Sequence, residues 1–90
     1  MEWLRQLRDE RARARINVRL RRLAAGNAGQ VRSVGGGVAE LKIDYGPGYR
    51  VYFTRCGTEI VVLLCGGDKS SQSSDIEAAK KLALLLRRRE

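Results

Sequence analysis

The segment 40–53, ELKIDYGPGYRVYF, has the clearest structural pattern in this chain. Apolar and polar residues alternate on both sides of the turn Gly46-Pro47-Gly48, which is typical of two β-strands joined as a hairpin. Successive side chains of a strand point to opposite faces of the sheet. We therefore expect one face of this hairpin to form the core, and Lys42, Arg50 and Tyr52 to point away from it.

Further strands are predicted on both sides of this hairpin. A short strand flanked by Val31 and Val34 precedes the turn Gly35-Gly36-Gly37. The continuous apolar run 60–64, IVVLL, is interpreted as a central strand covered on both faces. The prediction is a meander of four antiparallel strands, and its core face carries Ala39, Leu41, Ile43, Tyr49, Val51 and Phe53.

Helices are predicted at both ends of the chain. Residues 3–25 have helical spacing in two pieces, with Asp9 as the N-cap of the second piece. After the loop GGDKSSQSS, the capping box Ser74-Asp75-Ile76-Glu77 predicts the start of a last helix, which ends in the cations 87–89. The fold class is therefore α+β: an N-terminal helical hairpin packed on a four-stranded antiparallel sheet, followed by a C-terminal helix, in one domain over residues 1–90.

The charge balance of the chain indicates which partners it attracts. Its 90 residues hold 18 Lys and Arg against 10 Asp and Glu, a net charge of +8. Such a field attracts polyanions, nucleic acid above all, although a basic surface can also serve solubility alone. There is no apolar run of about 18 residues and no secretory signal, so we expect a cytoplasmic protein without a membrane partner.

The residue types that are missing limit the chemistry. The chain has no histidine, which excludes Ser-His-Asp and Cys-His nucleophiles. Its two cysteines, Cys56 and Cys65, lie nine residues apart and do not make a metal site, so we expect no metal and no cofactor. We interpret Cys65, at the end of an apolar strand, as an inert buried thiol.

A candidate phosphate-binding surface follows from the predicted strands. Lys42, Arg50, Tyr52 and Lys69 are expected to converge on one shallow, open face of the sheet. Clustered cations and hydroxyls are what a phosphate site needs, and Tyr45 and Tyr52 offer rings that could stack on unpaired bases. By itself this pattern indicates polyanion binding and does not indicate catalysis.

Each of these residues also has a structural interpretation. Lys42 can be an exposed strand lysine, and Arg50 can pair across strands with Glu40 or Asp44. A ridge of arginines along the second helical piece leaves the same choice open, between contact with RNA, docking of an acidic partner, and a solvated face whose side chains cover the core margin. The ridge consists of Arg11, Arg15, Arg19 and Arg22.

Three long segments resemble a known family. RARARINVRLRRLAAGN (11–27), VGGGVAELKIDYGPGYRVYF (34–53) and LLCGGDKSSQSSDI (63–76) are similar to the RelE/ParE superfamily of bacterial toxins, and most closely to its HigB-like branch of addiction module killer proteins. The resemblance implies a type II toxin that cuts messenger RNA at the ribosome without a metal ion. It also implies a cognate antitoxin, expected to be a helix-turn-helix protein, that forms a hetero-oligomer with the toxin.

The resemblance assigns roles to three cations. It places Arg50 on the scissile phosphate, Lys42 beside the 2′-hydroxyl that attacks it, and Lys69 on the phosphate and leaving group. Apart from the resemblance, we hypothesise that Tyr52 positions a base. Arg15 and Arg19 are expected to bind the RNA from the arginine ridge.

The chain also departs from the family pattern. Glu40 stands where some ribonuclease members have a lysine, and no tyrosine or histidine follows Lys69 to serve as acid or base. Tyr52 and Gln72 are candidates for that role. Relatives usually have another strand before Trp3. These departures keep two alternatives open, a ParE-like inhibitor of DNA gyrase that cuts no RNA, and a basic module that binds nucleic acid or antitoxin without toxicity.

Overall fold

The computed structural model describes residues 1–88 and contains the predicted helices and strands. Two N-terminal helices precede four strands, and a short 3₁₀ helix leads into a long final helix. The elements are α1 (Glu2–Gln6), α2 (Glu10–Ala24), β1 (Val31–Gly35), β2 (Val38–Ile43), β3 (Tyr49–Cys56), β4 (Ile60–Gly67), the 3₁₀ helix (Lys69–Ser71) and α3 (Gln72–Arg88). The α+β class and the antiparallel meander are confirmed. Within residues 1–88, no helix has both the length and the apolar character needed to cross a membrane.

The strands lie side by side in the order β1-β2-β3-β4. In β3 every residue from Tyr49 to Thr54 is buried, so β3 is the strand covered on both faces. The prediction that the run 60–64 forms the central strand is wrong, because β4 lies at the edge and Ile60 is 61% exposed. Hairpin connections place consecutive strands next to each other, so the last strand of the meander becomes an edge whatever its hydrophobicity.

One face of the sheet carries the two N-terminal helices, as predicted. The break between the helices falls at Asp9, whose carboxylate accepts hydrogen bonds from the backbone N–H groups of Arg11 and Ala12 and caps α2. Helix α2 then buries one stripe of apolar side chains against the sheet. This core consists of Ala12, Ile16, Leu23, Leu41, Ile43, Tyr49, Val51 and Phe53.

The other face of the sheet is covered by α3, which corrects the prediction of an open face. Ala79 and Ala83 of α3 pack against Val38 and Tyr52, and all four residues are buried. The two alanines let the helix approach the sheet closely, since neither has a side chain beyond Cβ. The pattern of α3 predicted an apolar stripe, but it did not specify which face of the sheet the stripe would cover.

Helix α3 begins three residues earlier than the capping box predicted. Asp68 accepts a hydrogen bond from the backbone N–H of Ser70 at 2.8 Å and starts the 3₁₀ helix, which continues directly into α3 at Gln72. Ser74, the predicted N-cap, lies inside α3 and donates its hydroxyl to the carbonyl of Ser71 at 3.0 Å. Of the predicted terminal cations, 87 and 88 lie in the last turn of α3, and Arg89 lies outside the described residues.

Two consecutive glycines at the end of β4 let a helix approach each face of the sheet. A Cβ on Gly66 would overlap the ring of Trp3, which also meets Tyr49 edge to face with ring centroids 6.1 Å apart. A Cβ on Gly67 would overlap the carboxylate of Asp75 in the first turn of α3. The pair of glycines thus fixes how closely both helical layers seat on the sheet.

We predict that Gly66→Ala and Gly67→Ala both destabilise the fold. Each added methyl group overpacks a filled contact, which typically costs about 1–3 kcal/mol in free energy of unfolding. For a chain of this size each kcal/mol lowers Tm by roughly 4–8 °C, which thermal unfolding followed by circular dichroism detects. Ser73→Ala, at an exposed position of α3, serves as the control and should unfold like the wild type. An unchanged Tm for both glycine variants would show that the helices do not rest on these positions.

Candidate anion-binding site

Two rows of paired residues cross the sheet beneath the start of α3. In the first row, Arg32 of β1 lies opposite Glu40 of β2, which lies opposite Tyr52 of β3. In the second row, Lys42 lies opposite Arg50. The period of two puts all five side chains on the face that α3 covers. The hairpin register, which is local in sequence, therefore brings cations and a carboxylate together.

These rows border an open cavity of about 360 Å³ between the sheet and the N-terminal end of α3. Its charged and amide-bearing lining consists of Gln30, Arg32, Glu40, Lys42, Arg50 and Gln72. Three cations against one carboxylate leave a net positive charge of two in the cavity, since 3 − 1 = 2. Such a lining attracts anions and supplies hydrogen-bond donors to hold them.

Glu40 lies at the floor of this cavity and is 3% exposed. Its carboxylate accepts hydrogen bonds from Arg32 Nε at 2.9 Å, from the hydroxyl of Tyr52 at 3.1 Å and from the amide nitrogen of Gln72 at 2.9 Å. Burial alone would raise the pKa of Glu40, but these three hydrogen bonds and the charge of Arg32 outweigh burial and hold the pKa below its ordinary value. Glu40 is therefore ionised at neutral pH, and its acceptor sites are largely occupied.

Arg50 is nearly buried, yet its guanidinium is not fully hydrogen-bonded. Nη1 donates to the carbonyl of Gly48 at 2.7 Å. Nε lies 3.8 Å from Glu40 Oε2, close enough for charge attraction but too far for a hydrogen bond. Within residues 1–88, Nε of Arg50 is a buried donor without an acceptor. Such an orphan donor costs about 1–3 kcal/mol, and an anion in the cavity is the kind of group that would satisfy the guanidinium.

Lys42 and Lys69 flank Arg50 from different elements. Lys42 is exposed and lines the cavity. Lys69 is the first residue of the 3₁₀ helix and is also exposed, but it is not among the residues that line the cavity. A Cβ on Gly48 would lie 3.3 Å from Nη1 of Arg50 and 3.9 Å from Cβ of Lys69, so the guanidinium and Lys69 both lie next to Gly48 in the turn 46–48.

Tyr52 lies inside the fold, which corrects its expected place on an open surface. The side chain is fully buried under α3, so neither face of the ring is available for stacking on a base. Its hydroxyl donates to Glu40, and burial together with the charge of Glu40 raises the pKa of Tyr52 well above its usual value of 10. Tyr52 is therefore neutral and holds the carboxylate in place.

Three predicted site residues lie on the opposite side of the sheet. Arg15 and Arg19 belong to α2, and Tyr45 lies next to that helix. The guanidinium carbon of Arg15 lies 4.6 Å from the ring centroid of Tyr45, and both residues line a second cavity of about 410 Å³. Arg19 donates to the backbone carbonyls of Lys42 at 2.8 Å and Ala28 at 3.3 Å, which fastens α2 to the sheet. The eight predicted site residues are thus divided between two faces of the sheet.

Two charged residues of the cavity, Arg32 and Glu40, had no predicted role in it. The sequence presents Glu40 only as a departure from the resembling family and as a possible cross-strand partner of Arg50. Alternation with Lys42 was sufficient to place it on the same face. The triple-glycine turn 35–37 brings Arg32 opposite Glu40, and that pairing was the available signal for Arg32.

Neither the thiol of Cys65 nor the acidic residues that the structure describes indicate a reactive cysteine or a metal site. Burial, and next the charge of Asp75, raise the pKa of the Cys65 thiol to about 11, and its Sγ lies 3.4 Å from the carbonyl oxygen of Asp75. The interpretation of Cys65 as an unreactive thiol agrees with this raised pKa. Among the described residues, no three side chains of His, Cys, Asp or Glu are placed to hold a metal ion.

The fold and the cavity together define a small α+β protein with a cationic site between a four-stranded sheet and a C-terminal helix. The sequence matches the model of the family described as phage derived protein Gp49-like (DUF891) over residues 2–87. The chain therefore belongs to the Gp49-like family, which is associated with toxin–antitoxin systems. It is also 53% identical over 81 residues to an uncharacterized protein of Haemophilus influenzae, and the match covers 90% of this chain and 82% of that protein. No solved structure matches the chain significantly.

We predict that Glu40→Gln changes how stability depends on pH. The pKa of Glu40 is lower in the folded than in the unfolded chain, so its stabilising contribution is present above the unfolded value of about 4.3 and is lost as the pH falls through the folded value. The variant should be less stable by about 1–3 kcal/mol at neutral pH. The difference from the wild type should shrink as the pH falls below about 4.

Urea denaturation at a series of pH values measures this difference. Asp68, whose pKa is also lowered by hydrogen bonds from Ser70, is present in both proteins, so its contribution cancels. Glu77→Gln, at an exposed position of α3, is the matched control and should follow the wild-type curve. A constant difference between Glu40→Gln and wild type at every pH would contradict the proposed charge state of Glu40.

Proposed function

We propose that this protein is the toxin of a type II toxin–antitoxin pair and that it cleaves messenger RNA at the ribosome. Its membership of the Gp49-like family supports the toxin class. The cavity supports the choice of substrate, and one observation carries this step. A nearly buried guanidinium, that of Arg50, has an unsatisfied donor and lies beside the cations Lys42 and Arg32 in an open cavity.

The proposed reaction uses the nucleophile that RNA itself supplies. The 2′-hydroxyl loses its proton, its oxygen attacks the adjacent phosphorus, and the bond from phosphorus to the 5′-oxygen breaks. The products are a 2′,3′-cyclic phosphate and a 5′-hydroxyl, which takes up a proton. The protein has to hold the strand in line and neutralise the charge that builds up on the phosphorane.

The cations of the site suit this task. Arg50 would hold the scissile phosphate, Lys42 would assist at the 2′-hydroxyl, and Lys69, beside the guanidinium of Arg50, would stabilise the leaving side. A single well-placed donor of this kind contributes on the order of 10²–10³ in rate. Gln72, whose amide is bound to Glu40 at 2.9 Å, holds the carboxylate rather than acting as an acid or base.

Glu40 is a poor general base in this arrangement. A base works best when its pKa lies near the working pH, whereas the pKa of Glu40 is lowered and three donors already occupy its oxygens. Tyr52, with its raised pKa and buried hydroxyl, is equally unsuited. The 2′-hydroxyl proton therefore passes to solvent, the ammonium of Lys42 stabilises the oxygen that loses it, and the protein accelerates the reaction through charge and alignment.

A second basic surface on the opposite face of the sheet has a different role in this proposal. Arg15, Arg19 and Arg22 line the cavity next to α2, and Tyr45 lies under Arg15. These side chains would bind ribosomal RNA while the mRNA occupies the cavity beneath α3. Binding through several phosphate contacts falls steeply with salt concentration. A cognate antitoxin, expected to be a helix-turn-helix protein, would silence the toxin in a hetero-oligomer.

We predict that Arg50 is required for mRNA cleavage. Wild-type protein added to a translating extract should produce new mRNA 5′ ends, and a 2′-deoxy nucleotide at the cleaved position should abolish them, because it removes the nucleophile. Arg50→Lys should lower the rate on the order of 10²-fold, and Arg50→Ala at least as much. Mapping of mRNA ends by primer extension measures both effects.

Arg21→Ala, an exposed position on α2, is the matched control, because it removes the same charge from the other face of the molecule. Circular dichroism verifies that each variant is folded. Cleavage that persists on the 2′-deoxy mRNA, or in Arg50→Ala, would reject the proposed mechanism. Intact mRNA together with stalled gyrase complexes would point instead to a ParE-like inhibitor.

A further inference from the structure

Two arginines compete for one carboxylate in the cavity. Arg32 Nε lies 2.9 Å from Glu40 Oε1 and donates a hydrogen bond to it. Arg50 Nε lies 3.8 Å from Glu40 Oε2 and donates none. The exposed arginine is thus bonded to the buried carboxylate, and the buried arginine keeps a free donor.

Burial by itself favours the opposite pairing. The side chain of Arg32 is 61% exposed and can be solvated by water, whereas that of Arg50 is 7% exposed and cannot. A desolvated charge gains more from a counterion than an exposed one. Without Arg32, Oε1 of Glu40 would lose its donor, and Arg50 Nε, 3.8 Å from Oε2, would be a buried unsatisfied donor close to the carboxylate.

We infer that Arg32 is a positioning residue which neutralises Glu40 and thereby keeps Arg50 available for a phosphate of the RNA. This inference rests on the proposed function, since it concerns how the same cavity takes the substrate phosphate. Arg32 acts through Glu40 and Arg50 and need not touch the RNA. Its place on β1, opposite Glu40 in the strand register, fixes it for that purpose.

The inference predicts a specific pattern in a double-mutant cycle. Arg32→Ala should weaken phosphate binding on the order of tenfold, because Arg50 turns to Glu40 and loses a charge-assisted hydrogen bond to the ligand. Glu40→Gln should bind at least as tightly as the wild type. The double variant Arg32→Ala/Glu40→Gln should return to within about twofold of Glu40→Gln, because no carboxylate remains to capture Arg50.

The probe is a fluorescein-labelled single-stranded oligoribonucleotide with 2′-O-methyl groups throughout, and fluorescence anisotropy at one fixed salt concentration gives Kd. The probe cannot be cleaved, so binding is measured apart from the ribonuclease reaction. Arg32→Lys should retain much of the wild-type affinity, since an ammonium can also pair with Glu40. Arg21→Ala is the matched control for loss of one positive charge.

A second readout follows Arg50 without any ligand. In the ¹⁵N NMR spectrum of the arginine side chains, the Nε–H of Arg50 should shift in Arg32→Ala, and its exchange with solvent should slow as it bonds to Glu40. A direct contact between Arg32 and the phosphate would instead make the two substitutions additive, so the double variant would stay about tenfold weaker than Glu40→Gln. That result, an unshifted Arg50 resonance, or failure of the wild type to bind the probe would overturn the inference.

The binding experiment tests the role of Arg32, and the cleavage experiment tests the proposed function, so either proposal can be refuted without the other. A wild-type protein that binds the probe in the predicted order but cuts no mRNA would refute the proposed function and leave the role of Arg32 standing. A protein that cuts mRNA but shows additive binding effects would support the proposed function and refute the role of Arg32.

Discussion

The carboxylate of Glu40 joins four elements of the fold at one point. Glu40 itself comes from β2, and its hydrogen-bond donors come from β1, β3 and α3, through Arg32, Tyr52 and Gln72. A buried charge is tolerated only when its partners are in place, and removing one partner leaves a costly unpaired group. The three donors must therefore be present together, which ties the position of α3 to the register of the sheet.

This polar junction complements an otherwise small apolar contact. The buried core between α3 and the sheet rests on Val38, Tyr52, Ala79 and Ala83, and Ile76 of α3 packs against it partly buried. Apolar contacts between small side chains are non-directional and do not fix how far a helix slides along a sheet. Gln72 at the start of α3 and Gly67 at the end of β4 supply that restriction, one through a directed hydrogen bond and the other through close packing.

The same junction shapes the electrostatics of the cavity. Glu40 removes one unit of positive charge from the lining, but it also orders the guanidinium of Arg32 and lies within 4 Å of that of Arg50. Glu40 is thus a carboxylate among cations, and the neighbouring Arg32 compensates for its charge. Cations line both faces of the sheet, in one cavity under α3 and a second one beside α2.

Helices and strands whose sequence patterns depend on nearby residues could be predicted from the sequence alone. Alternation around the turn 46–48 fixed the hairpin register and put Lys42 and Arg50 on one face, and the capping residue Asp9 fixed the break between α1 and α2. The fold class and the core beneath α2 followed from those patterns, because period and capping depend on neighbours within a few residues.

The packing of α3 on the second face of the sheet could not be predicted from the sequence and is seen only in the tertiary structure. The amphipathic pattern of α3 is compatible with several packings, and the choice depends on contacts between Val38, Tyr52 and two alanines more than 25 positions away in the chain. That choice buried Tyr52, brought Gln72 to Glu40 and turned an expected open surface into a cavity. The position of each strand in the sheet also depends on tertiary contacts. The apolar run 60–64 predicts a strand, but it does not predict whether that strand lies at the edge or in the centre of the sheet.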